Sequence, residues 1–205
     1  MKILGLTGGI GMGKSTAAAM LRRMGLKVFD ADAAVHALLG PRGAAVARVA
    51  KAFPGVKKGA AIDRKALGKK VFGSGPKMKQ LEAILHPMVR TMERDFLARA
   101  RAARAKLVVL DIPLLYETGR DGRCDAVAVV WAPEFLRRAR VLARPGMDAK
   151  RLAAVVARQW PSRDKTRRAD FAVPSGLGRA ATWAGLARVA RCLRAACPAE
   201  SEAAD

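Results

Sequence analysis

The chain contains few cysteines, histidines and aromatic residues. Of its 205 residues, three are cysteine and two are histidine, and aromatic residues make up 5%. Cys124, Cys192 and Cys197 are odd in number and lack the C-x-x-C spacing, while His36 and His86 lie far apart in the sequence. These patterns argue against a disulfide framework and against a Cys/His zinc site. We therefore expect a protein of the reducing cytoplasm.

Long apolar runs are also missing. None approaches the roughly 20 residues that a membrane-spanning helix needs. The opening Met1–Leu6 has the apolar character of a signal peptide, but the run ends at a glycine-rich segment. The sequence therefore predicts no membrane partner.

Acidic residues are scarce relative to basic ones. The chain has 17 Asp and Glu against 39 Lys and Arg, which gives a formal net charge of +22. Such a charge attracts nucleic acid and other polyanions. However, arginine and alanine are frequent along the whole chain, and the aromatic residues that stack on single-stranded bases are few. A general compositional bias is the favoured interpretation, and no nucleic-acid partner is expected.

The sequence does contain a glycine-rich loop directly after its first apolar run. Residues 8–15 fit G-x-x-x-x-G-K-[ST] and follow the strand-like Ile3–Thr7. In such a loop, backbone N–H groups and the start of the next helix converge on phosphate. Lys14 can reach the β- and γ-phosphates, and the Ser15 hydroxyl can ligate Mg²⁺. The loop alone thus predicts a nucleotide with Mg²⁺, and the predicted nucleotide contacts in this segment, which the family resemblance described below makes contacts to ATP, are Gly9, Ile10, Gly11, Met12, Gly13, Lys14, Ser15 and Thr16.

Apolar runs alternate with helical patterns along the chain. Strands are predicted at 3–7, around 26–29, at 107–112 and at 126–131, with a weaker strand at 171–173. This alternation is typical of a parallel sheet covered by helices on both faces. The predicted fold class is therefore α/β, a three-layer α/β/α arrangement of the P-loop NTPase kind. A chain of this length suits one domain, predicted over residues 1–198.

Three kinds of segment are predicted within this domain. The core is predicted at 1–32, 106–133 and 169–196. Residues 33–105 lack a convincing strand and form a helical insertion, in which His86-Pro87 is predicted to form a corner between helices. Residues 134–168 are helical and dense in arginine, and the tail 199–205 is predicted to be disordered.

Several acids and one serine follow predicted strands. Asp30 and Asp32 come after the second strand, so both are expected at the ligand cleft, with capping of the next helix as the alternative. Asp111 ends a strand in the manner of a Walker B acid and is a candidate Mg²⁺ residue together with Ser15. Glu117 is either a cap or a ligand contact. The loop around Ser175 is expected to border the nucleotide base.

The motifs together resemble the dephospho-coenzyme A kinase family over about residues 1–185. The resemblance depends on a small set of motifs, namely Leu6–Thr16, Asp30-Ala31-Asp32, Leu85-His86-Pro87, Pro113–Glu117, Arg140–Arg144, Gln159 and Ala169-Asp170-Phe171. It implies a P-loop kinase in which 33–105 binds the acceptor and 134–168 includes a lid. This chain departs from the family pattern in having Pro145 after Arg144, where the family usually has aspartate. It also has Pro174-Ser175-Gly176 in the loop that in the family often carries an asparagine near the adenine.

The resemblance also implies roles for single residues. Asp32, Lys14 and Arg140 are expected to be catalytic, with Asp32 next to the 3′-hydroxyl of the acceptor ribose. Arg144 and Ser175 are expected to bind ATP. The residues expected to bind dephospho-coenzyme A are Thr7, Asp30, His86, Leu115 and Glu117.

Two other functions remain open on the sequence. Another small-molecule kinase, acting on nucleosides or nucleotides, would use the same loop chemistry. A nucleic-acid-stimulated ATPase is suggested by the net charge alone, although the basic residues are dispersed and no nucleic-acid motif is evident. The expected assembly is a monomer or a weak homo-oligomer.

Overall fold

A computed structural model of the chain describes residues 1–195. These residues form two compact units. The first, called the sheet unit here, comprises Met1–Phe29 and the described residues from Ala100 onward. The second, the helical unit, comprises Asp30–Arg99.

A five-stranded sheet is the centre of the sheet unit. The strands of the described chain are β1 (Lys2–Thr7), β2 (Lys27–Asp30), β3 (Lys57–Lys58), β4 (Ala61–Ile62), β5 (Leu107–Asp111), β6 (Ala126–Trp131) and β7 (Phe171–Pro174). The sheet order is β2-β5-β1-β6-β7, with β1 parallel to β5 and β6, and β6 parallel to β7. The aliphatic residues of β5 and β6 are buried almost without interruption, as expected for strands covered on both faces. The predicted α/β alternation is confirmed.

Nine α-helices accompany the strands within residues 1–195. They are α1 (Lys14–Arg23), α2 (Ala31–Leu39), α3 (Val46–Ala52), α4 (Arg64–Val71), α5 (Gly75–Ala102), α6 (Glu134–Leu142), α7 (Ala149–Val156), α8 (Ser162–Arg168) and α9 (Arg179–Arg194). Helices α1 and α9 pack together, and Leu21 and Leu186 join Leu4 and Leu6 of β1 in one buried cluster. This packing fixes the direction of α1, and with it the loop that precedes the helix.

The helical unit contains a hairpin that the sequence did not predict. Strands β3 and β4 pair antiparallel around Gly59, which has a φ of +58°. The expectation of no strand in 33–105 is therefore wrong. Two-residue strands show no alternating pattern to detect, and only the glycine, whose missing Cβ permits the left-handed turn, hints at the reversal.

Helix α5 continues without a break through Pro87. The predicted corner at His86-Pro87 is wrong, and His86 lies exposed on one continuous helix. Proline removes one backbone hydrogen bond, but Leu81, Leu85 and Val89 stay buried at four-residue spacing across it. Burial of this apolar stripe outweighs the missing bond.

The two described cysteines, Cys124 and Cys192, are free thiols. Cys197, the predicted tail 199–205 and residue 196 of the predicted core lie outside the described residues. No helix within residues 1–195 has both the length and the apolar character needed to cross a membrane.

Candidate active site

The glycine-rich loop leaves the end of β1 in a conformation that requires glycine. A Cβ at Gly8 would lie 2.6 Å from the carbonyl oxygen of Val130. Gly11 and Gly13 have φ of +75° and +87°, in the left-handed region that disfavours side chains. Gly13 is also the residue before α1, so the helix N-terminus and the loop amides lie beside each other.

Lys14 is paired with the acid at the end of β5. The register that aligns Leu6 with Asp111 brings this acid to the edge of the sheet where the loop begins. Lys14 Nζ lies 2.6 Å from Asp111 Oδ1, and the two side chains are 13% and 2% exposed. The ammonium group is thus held at the loop by a largely buried carboxylate.

Met12 fixes the middle of the loop. Its side chain is 1% exposed, and its Sδ accepts a hydrogen bond of 3.1 Å from the backbone N–H of Ala132, just beyond β6. A variable position of the loop motif therefore has a specific packing role here, because the thioether fills a buried site and satisfies a backbone donor.

Arg140 and Ser175 contact the loop together. Arg140 Nη1 donates to Ser175 Oγ at 3.0 Å, and Nη2 donates to the Ser175 carbonyl oxygen at 2.8 Å. Ser175 Oγ in turn donates to the carbonyl oxygen of Met12 at 2.7 Å. Ser175, in the loop after β7, thereby fixes Arg140 of α6 beside the glycine-rich loop, residues 8–15, which is called the P-loop from here on.

A cavity of about 460 Å³ opens beside this contact. Its walls include Gly13, Thr16, Leu136, Arg140, Arg144 and Ser175. This volume falls in the range of small-molecule sites, and the apolar wall with a few cationic groups suits a nucleotide. The structure thus brings predicted ATP contacts from three segments to one cavity, namely the glycine-rich loop, the segment after α6 that carries Arg144, and the loop around Ser175.

Gln159, which lies after α7, was absent from the predicted site residues. Its Oε1 accepts a hydrogen bond of 3.0 Å from the backbone N–H of Ile10. The residue appeared only as part of the family resemblance, and nothing in its local sequence indicates a contact with a loop 149 positions away.

Three predicted acceptor contacts lie in the sheet unit. Thr7 Oγ1 donates to the carbonyl oxygen of Pro113 at 2.9 Å, and Leu115 is completely buried. Glu117 Oε1 lies 2.6 Å from Lys165 Nζ and accepts the Trp160 N–H at 2.8 Å. These side chains are engaged within the sheet unit, and their contact with an acceptor stays a prediction.

The remaining predicted residues belong to the helical unit. Asp30 Oδ1 accepts the Ala33 N–H at 2.9 Å, so the capping role left open by the sequence is confirmed for Asp30. Asp32 lies in the first turn of α2 with an exposed side chain. His36 Nε2 contacts Arg64. The roles of Asp32 and His86 stay predictions.

Tyr116 forms an aromatic stack next to Glu117. Its ring lies 5.7 Å from that of Trp160 at 14°, and the Arg168 guanidinium lies 5.6 and 5.8 Å from the two ring centroids. Burial disfavours the phenolate and raises the pKa of Tyr116 to about 12.

The parallel sheet, the glycine-rich loop after its central strand and the Lys14–Asp111 pair define a P-loop protein of the kinase type. A family model described as "Dephospho-CoA kinase" matches residues 2–176. The chain belongs to the dephospho-CoA kinase family.

Individual relatives agree with this assignment. The chain is 67% identical to a dephospho-CoA kinase of Paramagnetospirillum magneticum over 165 residues, covering 80% of this chain and 78% of that protein. It is 59% identical to one of Rhodospirillum rubrum over 177 residues, covering 86% and 84%.

Solved structures show the same fold. The crystal structure of TT1252 from Thermus thermophilus superposes with a TM-score of 0.81 at 36% identity, covering 93% of this chain and 96% of that one. The dephospho-CoA kinase from Campylobacter jejuni shares the fold with a TM-score of 0.63 at 24% identity, covering 94% and 97%.

Proposed function

We propose that this protein transfers the γ-phosphoryl group of ATP to the ribose 3′-hydroxyl of dephospho-coenzyme A, the final step of coenzyme A synthesis. Membership of the dephospho-CoA kinase family supports the reaction. The observation that supports the chemistry is the Lys14 ammonium held beside the loop by Asp111. Phosphoryl transfer needs mainly alignment and neutralisation of charge, and both can come from these groups.

ATP binds with its phosphates in the loop from Gly9 to Thr16. Lys14 and Arg140 neutralise charge on the transferred group, since both are cations at the loop. The base and ribose occupy the cavity lined by Leu136, Arg144 and Ser175. Arg140 exchanges part of its contact with Ser175 for phosphate oxygens.

Ser15 and Asp111 are the residues that would hold Mg²⁺. A hydroxyl and a carboxylate are hard oxygen ligands that suit this ion, and one or two protein ligands are typical of Mg²⁺–nucleotide sites. When bound, the ion neutralises phosphate charge. Asp111, which pairs with the Lys14 ammonium, would then also serve the cation.

The acceptor is bound by the helical segment 33–105, and a lid lies within 134–168. Asp32 orients the 3′-hydroxyl and accepts its proton, a role that its exposed carboxylate in the first turn of α2 permits. Asp30, His86, Thr7, Leu115 and Glu117 contact or support the acceptor.

The direct test is purified protein with Mg·ATP and dephospho-coenzyme A. A product heavier by one phosphate, formed with equimolar ADP, is expected. A parallel panel of nucleosides and nucleotides tests the second kinase function, and faster transfer to one of these would contradict the proposal. ATP hydrolysis stimulated by DNA or RNA would instead favour the ATPase.

A further inference from the structure

A buried ion pair joins α8 to the turn after β5. Lys165 of α8 is 1% exposed, and its Nζ lies 2.6 Å from Oε1 of Glu117, whose side chain is 11% exposed. Removing two charges from water is costly, so a buried pair contributes little net stability.

Glu117 also binds the backbone of the segment between α7 and α8. The same Oε1 accepts the Trp160 N–H at 2.8 Å. The Trp160 ring stacks on Tyr116, and Arg168, which covers both rings, donates to Asp121 at 2.8 and 3.1 Å. Trp160 is therefore fixed through its backbone and through its ring to the turn that follows β5.

The residue before Trp160 contacts the P-loop. Gln159 Oε1 accepts the Ile10 N–H at 3.0 Å. A Cβ at Gly9 would lie 3.3 Å from the same oxygen, so the amide lies directly over the loop backbone. Because Gln159 and Trp160 are consecutive, the anchoring of Trp160 sets where the Gln159 side chain begins.

We propose that Glu117 is a positioning residue for ATP binding, which acts through Trp160 and Gln159 on the Ile10 amide of the P-loop. The proposal deepens the proposed function, on which it rests only in taking the loop as the ATP site. Gln159 satisfies the Ile10 donor with a neutral oxygen and so holds Gly9 and Gly11 in the shape that phosphate requires. Glu117 does not need to touch either substrate for this effect.

Two double variants distinguish the anchoring of Trp160 from the loss of the buried charges of Glu117 and Lys165. Glu117→Leu/Lys165→Met removes both charges and the acceptor for Trp160, and leaves no unpaired buried charge. Glu117→Gln/Lys165→Met removes the charges but keeps an amide oxygen for the Trp160 N–H. Gln159→Ala removes the contact between Gln159 and the Ile10 amide. Its matched control is Gln80→Ala, because Gln80 is an exposed glutamine of α5.

The measurement is the affinity for a fluorescent, non-hydrolysable ATP analogue without any acceptor. Gln159→Ala and the Leu/Met variant should each weaken binding about 3- to 10-fold, the range expected for one backbone hydrogen bond. The affinity of the Gln/Met variant and of Gln80→Ala should stay within about twofold of the parent's affinity, because neither loses such a hydrogen bond. Adding Gln159→Ala to the Leu/Met variant should weaken binding no further than about twofold, because both changes remove the same contact.

Two results would overturn the proposal. One is a Leu/Met variant that binds the analogue with parental affinity. The other is a combined variant, Leu/Met with Gln159→Ala, whose loss of affinity equals the product of the two separate losses. If the Leu/Met variant does not fold, hydrogen exchange at the Ile10 amide is measured instead. The proposal requires faster exchange in Gln159→Ala than in the parent. Equal exchange rates would refute the contact between Gln159 and Ile10, and with it the proposal. Failure to phosphorylate dephospho-coenzyme A would contradict the proposed function and leave these binding measurements unaffected.

Discussion

Lys14 Nζ and Asp111 Oδ1 lie 2.6 Å apart at the sheet edge where the P-loop begins. The pair joins the loop to β5, the neighbour of β1. Under the proposed function, a phosphate group entering the loop would compete with the Asp111 carboxylate for the Lys14 ammonium, and Mg²⁺ would compete with the ammonium for the carboxylate. The proposed binding of nucleotide and of metal would then be coupled through this one ion pair.

Asp111→Asn tests this coupling. We expect affinity for ATP without metal to stay equal or rise, because Lys14 loses its competing anion, while turnover with Mg²⁺ falls at least about tenfold, or 1.4 kcal/mol of barrier. Isothermal titration with and without Mg²⁺, together with steady-state rates, provides both readouts. Asp125→Asn, which removes another ion-paired acid of the same unit, is the control. Parental turnover would exclude Asp111 from the metal site.

Ser175→Ala removes the hydroxyl between Arg140 and the P-loop. Arg140 keeps its contacts with the carbonyl oxygens of Ser175 and Gly11 but loses the Oγ acceptor, and the Met12 carbonyl loses its donor. We expect the KM for ATP to rise about 3- to 10-fold with kcat changed less, since one or two hydrogen bonds in the binding site are lost. Ser74→Ala, in the helical unit, should leave both constants unchanged. An unchanged KM would show that Ser175 does not position Arg140.

Gly11→Ala and Gly25→Ala form a matched pair for the loop. Both glycines have positive φ, +75° and +79°, but a Cβ at Gly11 would lie 2.6 Å from Val141 Cγ2, whereas nothing lies within 4 Å at Gly25. Gly25→Ala should cost about 1–2 kcal/mol of unfolding free energy from the left-handed backbone alone. Gly11→Ala should cost about 1–3 kcal/mol more through overpacking, and should weaken ATP binding. Equal urea midpoints for the two variants would contradict the predicted clash.

Much of this fold was evident in the sequence because its signals are local. The apolar runs of β1, β5 and β6 and the left-handed Gly25 after α1 gave the predicted elements. The break at Pro87 was wrongly predicted because a lost hydrogen bond is a local effect, whereas the buried stripe that keeps α5 continuous is not.

The site was less predictable for the same reason. The loop motif indicates phosphate by itself, but the partners of its side chains come from distant positions. Asp111 is 97 residues from Lys14, and Ser175 is 163 from Met12. No local pattern indicates that Gln159 contacts Ile10 or that Glu117 pairs with Lys165, because both contacts join residues that are distant in the sequence.

Asp32→Asn tests the proposed catalytic carboxylate. The amide keeps the size of the side chain and can no longer accept a proton, so kcat should fall at least 100-fold, the lower end for general-base catalysis. The affinity for ATP should stay within about twofold, since Asp32 is not proposed to contact the nucleotide. Rapid-quench measurement of phosphoryl transfer separates the chemical step from product release. Ala33→Ser, at the neighbouring exposed position, is the control, and unchanged turnover in Asp32→Asn would exclude the base.

Tyr116 is the single tyrosine of the chain, so phenolate absorbance reports on this residue alone. Its pKa is raised from 10.0 to about 12, first by burial and then by the nearby carboxylates of Asp170 and Asp121. The folded state thus disfavours the phenolate, and this contribution to stability is complete below pH 10 and is lost as the pH rises toward 12. In a pH jump read before unfolding, the native protein should titrate near 12 and the urea-unfolded chain near 10. Tyr116→Phe should show neither the absorbance change nor this part of the alkaline destabilisation. A native titration near 10 would mean that the ring is open to water, and it would contradict the Tyr116–Trp160 stack.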